Sequence, residues 1–193
     1  CIRDRDDIIE FTSLIEKNSQ LLMVLISDIL DLSKIESNTM EFNFCNISLH
    51  QVLNEIGSAQ RMNMKKGVEL LLDLPGQEIT IATDPTRLSQ VINNLVNNAI
   101  KFTSEGNIRI GYRPAASGRV KIFVEDTGTG MAKEVIEHIF DRFYKGDAFK
   151  QGTGLGLAIC RTIAERFKGK IEVASTPGKG TRFTIILPLK VEE

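Results

Sequence analysis

The sequence has no tryptophan, only two tyrosines and five prolines, three cysteines, two histidines and no long apolar run. Each scarcity removes a class of protein. The longest apolar stretch, Leu21 to Leu30, is broken by Ser27 and Asp28 and falls short of the ~20 residues that span a bilayer. Cys1, Cys45 and Cys160 are too widely spaced for a zinc knuckle and odd in number, which points to free thiols in a reducing compartment. Lys and Arg total 24 against 25 Asp and Glu, a net charge of −1, so no uniform basic field draws in nucleic acid or anionic lipid. Any phosphate site must be local. Position 1 is Cys1 rather than Met and no signal pattern follows, so we expect the chain to begin inside a longer polypeptide, a reading compatible with a membrane anchor upstream.

With 193 residues and 42% hydrophobic content, the chain can bury one full core and carry an appended element. Residues 4 to about 37 place Ile8, Ile15, Leu22 and Ile29 in one heptad series and Phe11, Leu25 and Leu32 in another, widened by Leu14, Leu21 and Ile35. That spacing predicts one long amphipathic helix whose stripe needs partner helices, with Asn18 as the polar interruption that specifies register.

Alternation then predicts a strand over Glu41 to Ile47, a helix from Leu49 to about Met64, and strands over Val68 to Leu74 and Ile79 to Thr83. Asp84 reads as an N-cap with Pro85 at the first helical position, opening a helix that runs to about Phe102. Strands over Asn107 to Arg113 and Val120 to Glu125 flank a Ser117-Gly118 turn. A short helix around Glu134 to Phe140, a polar loop from Gly146 to Gly152 and a helix from about Gly154 to Phe167 come next. Strands over Ile171 to Ala174 and Thr181 to Leu187, joined through Pro177 to Gly180, close the chain. The pattern predicts an α/β (α+β) two-layer sandwich, a mixed sheet covered by helices on one face and preceded by the long helix.

Three segments carry chemistry. Asn94, Asn98 and Lys101 fall at i, i+4 and i+7, so they share one helix face. Amide oxygens suit a hard cation such as Mg²⁺, amide nitrogens donate to phosphate, and lysine adds a point charge. A solvated polar face would account for any one of them, but Asn93 and Asn97 crowd the same helix and asparagine is a poor helix former. Asp126-Thr127-Gly128-Thr129-Gly130 follows a strand; an aspartate there can accept a hydrogen bond from an exocyclic amine, although Asp-x-Gly also occurs in ordinary turns. Gly152-Thr153-Gly154-Leu155-Gly156 opens a helix whose free amides and dipole suit phosphate oxygens. Lys145 and Lys150 in the loop before it fit a closing lid.

Taken together and in this order, the segments resemble the ATP-binding catalytic domain of sensor histidine kinases of two-component systems, in the superfamily of gyrase, heat-shock ATPases and mismatch-repair proteins. Asn94 to Phe102 resembles the asparagine box, Asp126 to Gly130 the first glycine box, Ile139 to Lys145 the phenylalanine box, Gly152 to Leu157 the second glycine box, and Gly178 to Thr181 the closing motif. The resemblance implies a Bergerat-type fold and two cofactors, ATP and Mg²⁺. It gives Mg²⁺ to Asn94, the phosphates to Asn98 and Lys101, and the adenine amine to Asp126 with Thr181 lining the pocket. Gly128, Gly130, Tyr144, Gly152, Thr153, Gly154, Leu155 and Gly156 would surround the nucleotide. Lys145 and Arg142 would reach the terminal phosphate, joining Asn94 and Lys101 as the catalytic group.

Ile29 to Glu36 is similar to the second helix of the family's dimerisation and phosphoacceptor hairpin, which divides the chain into residues 1–38 and a catalytic domain over 39–193. The first hairpin helix, with its His-acid motif, is then expected upstream, since neither His50 nor His138 has that context. The implied partners are ATP, a histidine-bearing dimerisation helix, the receiver domain of a response regulator and a second copy in a homodimer, but no nucleic acid. The implied site of action is cytoplasmic, including the cytoplasmic part of a membrane-anchored sensor. Hydrolysing members of the superfamily carry a water-activating glutamate one turn before the Mg²⁺-binding asparagine; here that position is Gln90, which cannot accept a proton. The alternatives are a non-catalytic ATP-binding sensor module and a superfamily ATPase.

Overall fold

The computed structural model describes residues 2–146 and 152–190, without the side chains of residues 2–7, 10, 13 and 17. Cys1 and Lys150 therefore lie outside the described residues. The chain opens with α1 (Ile2–Glu36), which ends in a Schellman turn. Asn38 takes the left-handed conformation at φ 57°, and the amides of Asn38 and Thr39 return to the carbonyls of Ile35 and Lys34. Most of the expected stripe is open to solvent, with Ile8, Phe11, Leu14, Ile15, Leu22 and Ile29 all exposed. Among the described side chains of α1, Leu32 and Ile35 in the last turns pack against the core.

The remaining elements are β1 (Cys45–Ser48), α2 (Leu49–Arg61), β2 (Val68–Asp73), β3 (Thr80–Thr83), α3 (Pro85–Phe102), β4 (Gly106–Ala115), β5 (Arg119–Asp126), α4 (Lys133–His138), α5 (Gly156–Arg166), β6 (Lys170–Thr176) and β7 (Gly180–Pro188). Five strands form a mixed sheet in the order β2-β4-β5-β7-β6, in which only the β2–β4 pair is parallel. β1 and β3 form a separate antiparallel pair.

The layering follows from alternation along the strands. Ile108, Ile110, Ile122, Val124, Phe183 and Ile185 turn inward and meet Leu88, Ile92, Leu95, Val96, Ile159 and Ile163 of α3 and α5, with Leu53 and Ile56 of α2 completing the core. The other face carries charge: Glu125 lies between Arg109 and Arg182, Asp73 pairs with Arg113, and the Arg182 guanidinium sits 4.0 Å over the Phe123 ring. Burying the apolar face of a three-turn helix such as α2 or α5 contributes several kcal/mol at ~25 cal/mol per Å². The two-layer architecture with helices on one face is the one the pattern predicts.

Several boundaries differ, each for a local reason. The strand expected from Glu41 begins only at Cys45, because Phe42 and Phe44 are used to pack on Phe167 and Met40 is buried. α5 starts at Gly156 rather than Gly154, since Gly154 has φ 73° and cannot be helical. α4 stops at His138, just before the chain turns through Phe143 at φ 62°. Asn93 and Asn97 belong to packing: Gln60 Nε2 donates to Asn93 Oδ1 at 2.9 Å and to Asn97 Oδ1 at 3.3 Å, forming an amide ladder between α2 and α3. Their crowding is therefore explained without a ligand.

Candidate functional site

α3 is built to hold a polar face at a fixed angle. Asp84 caps it, its Oδ1 accepting from the Arg87 amide at 3.0 Å, and Pro85 sets the first turn. Leu88, Val91, Ile92, Leu95, Val96 and Ala99 bury one side of the helix. Asn94, Asn98 and Lys101 are left half-buried, and Asn94 and Lys101 lie beside the loop before α5.

That loop runs antiparallel to them. A Cβ added at Gly156 would lie 2.6 Å from both amide atoms of Asn94, and one at Gly152 would lie 3.2 Å from Lys101 Nζ. Only glycine lets the start of α5 come so close to Asn94. The helix N-terminus, with no side chain capping it, thus opens beside an amide oxygen and an ammonium. Leu155 is buried in the core below. The backbone of Gly154 lies against Phe143, whose amide donates to the Gly154 carbonyl at 2.9 Å.

A second group forms at the end of β5. Asp126 is 7% exposed, and its Oδ1 accepts from the Gly128 amide at 2.8 Å, with the Thr181 amide as a second donor. Burial pushes its carboxyl above the ordinary range; the two amides lower it, and the charge of Glu125 adds to the rise. Thr181 is buried beside it, its hydroxyl 2.9 Å from Ser175 Oγ. Gly130 has φ 63°, and a Cβ there would lie 2.0 Å from the Thr176 carbonyl oxygen, so the turn closes only with glycine. A cleft of about 510 Å³ opens here, lined by Asp126, Ile136, Val173, Ser175 and Thr181 but not by the α3 residues. The two groups meet at the end of α3, where the Phe102 carbonyl accepts from the Thr129 amide at 3.2 Å.

The rest of the expected set is placed differently. Thr153 Oγ1 donates to Asp28 Oδ2 of α1 at 2.7 Å, and Arg142 pairs with Glu36, also of α1. Tyr144 stacks obliquely on His138 at 5.5 Å, and Lys145 is exposed. Among the described residues no cluster of three or more His, Cys, Asp or Glu side chains could hold a metal. The Asn94 side chain beside Gly156 offers an amide oxygen, a donor type that hard cations accept.

Sequence reasoning missed the acids of α1 and their partners. Asp31 accepts from Arg87 Nη1 at 3.1 Å and from Gln90 Nε2 at 2.6 Å. The signal was available: Asp28 and Asp31 sit at i and i+3 within an apolar stretch, where charges are buried only if paired. Lys65, which donates to the carbonyls of Lys101 and Thr103 at the end of α3, left no pattern to read.

A two-layer sandwich in which a glycine-rich helix start faces an asparagine and a lysine, with a buried aspartate at a strand end, defines an ATP-binding domain of the kinase and ATPase type. Residues 83–191 match the family described as Histidine kinase-, DNA gyrase B-, and HSP90-like ATPase, and the chain belongs to that family. It carries the ATP-binding catalytic domain of a sensor histidine kinase. It is 40% identical over 178 residues to sensor histidine kinase RcsC of Escherichia coli, covering 89% of this chain and 19% of that protein. It is 30% identical to sensor histidine kinase WalK of Bacillus subtilis, covering 95% of this chain and 31% of that one. The chain thus spans less than half the length of these relatives. Among solved structures, full-length ShkA in complex with AMPPNP superposes with a TM-score of 0.81 at 28% identity, covering 89% of this chain and 36% of that one. The histidine kinase AdeS of Acinetobacter baumannii gives a TM-score of 0.73 at 27% identity, covering 93% and 83%.

Proposed function

We propose that the chain is the catalytic part of a protein-histidine kinase that binds Mg-ATP and transfers the terminal phosphoryl group to a histidine of a dimerisation helix, for relay to a response-regulator aspartate. The observation that carries this reading is the apposition of Asn94 and Lys101 to the glycine loop at the start of α5. In it, residues 1–38 are the second helix of the dimerisation hairpin and residues 39–193 the catalytic domain. The exposed stripe of α1 would be covered in a homodimer, and the protein would act in the cytoplasm. Among the described residues no helix is long and apolar enough to cross a membrane.

Phosphoryl transfer is chiefly positioning and neutralisation of charge. Asp126 accepts from the adenine amine, with Thr181, Gly128 and Gly130 shaping the pocket. Asn98 and Lys101 hold the phosphates, helped by the amides of Gly152, Thr153, Gly154, Leu155 and Gly156. Mg²⁺ held by Asn94 would supply the charge that offsets the leaving phosphates. Lys145 and Arg142 reach the terminal phosphate, and for Arg142 this requires parting from Glu36. The histidine needs little basic help, because a neutral imidazole with a pKa near ~6.5 has a free lone pair at neutral pH. Gln90 offers no carboxylate to activate water, which favours transfer over hydrolysis.

Calorimetry tests the assignment. The chain should bind ATP in preference to GTP, and more tightly with Mg²⁺ than without. Asp126→Ala should lose roughly 1–3 kcal/mol of that preference, because a buried donor on the adenine is left without its acceptor. Equal affinity for ATP and GTP in the unmodified chain would refute the role given to Asp126.

A further inference from the structure

α1 meets the nucleotide side of the molecule through three acids, Asp28, Asp31 and Glu36, and of their partners only those of Asp31 lie on α3. Asp31 is 7% exposed. Its two carboxylate oxygens accept from Arg87 Nη1 at 3.1 Å and Gln90 Nε2 at 2.6 Å, and Arg87 Nη1 also donates to Gln90 Oε1 at 2.9 Å, closing a triangle. Arg87 is fixed a second time through its backbone, whose amide donates to the capping Asp84. The other oxygen of Asp84 accepts from the Asn43 amide at 2.8 Å, in the segment that leads from α1. The first turns of α3 are thus held both by α1 and by the chain emerging from it.

Asn94 stands one helical turn beyond Gln90, so any roll or slide of the start of α3 carries its amide with it. The backbone of Gly156 lies beside that amide with no room for a side chain between them, so a displacement of Asn94 changes how the amide meets the start of α5. We propose that Asp31 is a positioning residue for the nucleotide site: by holding Arg87 and Gln90 it fixes where Asn94 stands against Gly156, and the docking of α1 is thereby felt in the cation-dependent part of ATP binding. The inference rests on the assignment of Mg²⁺ to Asn94. The interface is suited to the task because a buried, doubly bonded carboxylate has a sharp geometric optimum and a high cost when a partner is lost.

The test compares ATP affinity with excess Mg²⁺ and with EDTA in the 193-residue chain, using calorimetry, for the unmodified protein, Asp31→Asn, Asp31→Leu and Asp31→Glu. Thermal melting confirms that each is folded; Asp31→Asn keeps the shape of the side chain if Asp31→Leu proves unstable. The expected result is that Asn and Leu reduce the gain from Mg²⁺ about tenfold, the scale of groups that orient a metal ligand, with EDTA affinity within about twofold of the unmodified chain and partial recovery in Glu. A lowered melting temperature with an unchanged Mg²⁺ gain would show a purely structural contact and overturn the proposal. An unmodified chain that binds ATP with no gain from Mg²⁺ overturns the Asn94 assignment first and this proposal with it, so the two failures are told apart by the wild-type measurement.

Discussion

At the scale of single residues, burial sets the chemistry more than contact does. Cys160 is enclosed between α5 and α3, where burial pushes its thiol well above the ordinary range and leaves it unreactive, whereas Cys45 is exposed. Asp126 shows the same force on the residue proposed to accept from the adenine amine. Its carboxyl is raised by burial despite two backbone donors, so it takes up a proton at a higher pH than a free aspartate. The consequences for affinity and stability have opposite signs. A neutral carboxyl is the poorer acceptor for the adenine amine, so ATP affinity and the preference over GTP should fall as pH drops through the raised value. A carboxyl raised in the folded state makes that state bind more protons than the unfolded chain, so its stabilising contribution is present at low pH and lost as pH rises through the same window. Calorimetric titrations run downward from neutral pH should show the first effect setting in at a higher pH than a free aspartate would give, and Asp126→Asn should flatten it. A pH profile of the ATP-over-GTP preference that is the same in both proteins would rule out Asp126 as the acceptor.

At the scale of elements, α1 and the loop before α5 compete for side chains. Arg142 holds Glu36 in this structure, while the proposed chemistry sends it to phosphate; both partners are about half exposed, so the pair is weak, at most ~1 kcal/mol. Glu36→Gln should therefore tighten ATP binding by up to about fivefold, measured by calorimetry at low salt, with the difference shrinking as salt is added. Weaker binding in that variant would mean that the pair helps to hold the loop in its binding shape. Local patterns foretold most of these elements because they rest on rules within a few residues: the Asp84 cap, the Ser117-Gly118 turn, the glycines of the α5 entry. The contacts that join elements far apart in sequence were not legible. Nothing near Asp31 points to Arg87, 56 residues on, and nothing near Gln60 points to Asn93. The asparagines illustrate both sides, since the i, i+4, i+7 rule correctly put Asn94, Asn98 and Lys101 on one face, while Asn93 and Asn97 turned out to serve the neighbouring helix.

At the scale of the whole molecule, the proposed reaction needs an acceptor histidine, and the surroundings of the two histidines in this chain, His50 and His138, argue against either serving as one. His50 sits at the start of α2 with its Nδ1 bonded to the buried Tyr112 hydroxyl, packed edge-on against that ring at 5.5 Å between centroids. His138 is held by Asp141 at 2.8 Å on the exposed end of α4. Neither is on the long helix whose apolar stripe, from Ile8 to Ile29, is left open and calls for partner helices. Incubated with radiolabelled ATP, the chain should therefore stay unlabelled on both histidines. A separately produced helical hairpin bearing a His-acid motif, taken from a relative, should acquire phosphate from it that is labile in acid and stable in base. The stripe should also lose accessibility when the hairpin is present, seen as protection of the α1 amides from hydrogen exchange. Acid-labile label on His50 or His138 would overturn the need for an acceptor in trans, and ATP binding without transfer to any hairpin would point to a nucleotide-sensing module in place of a kinase.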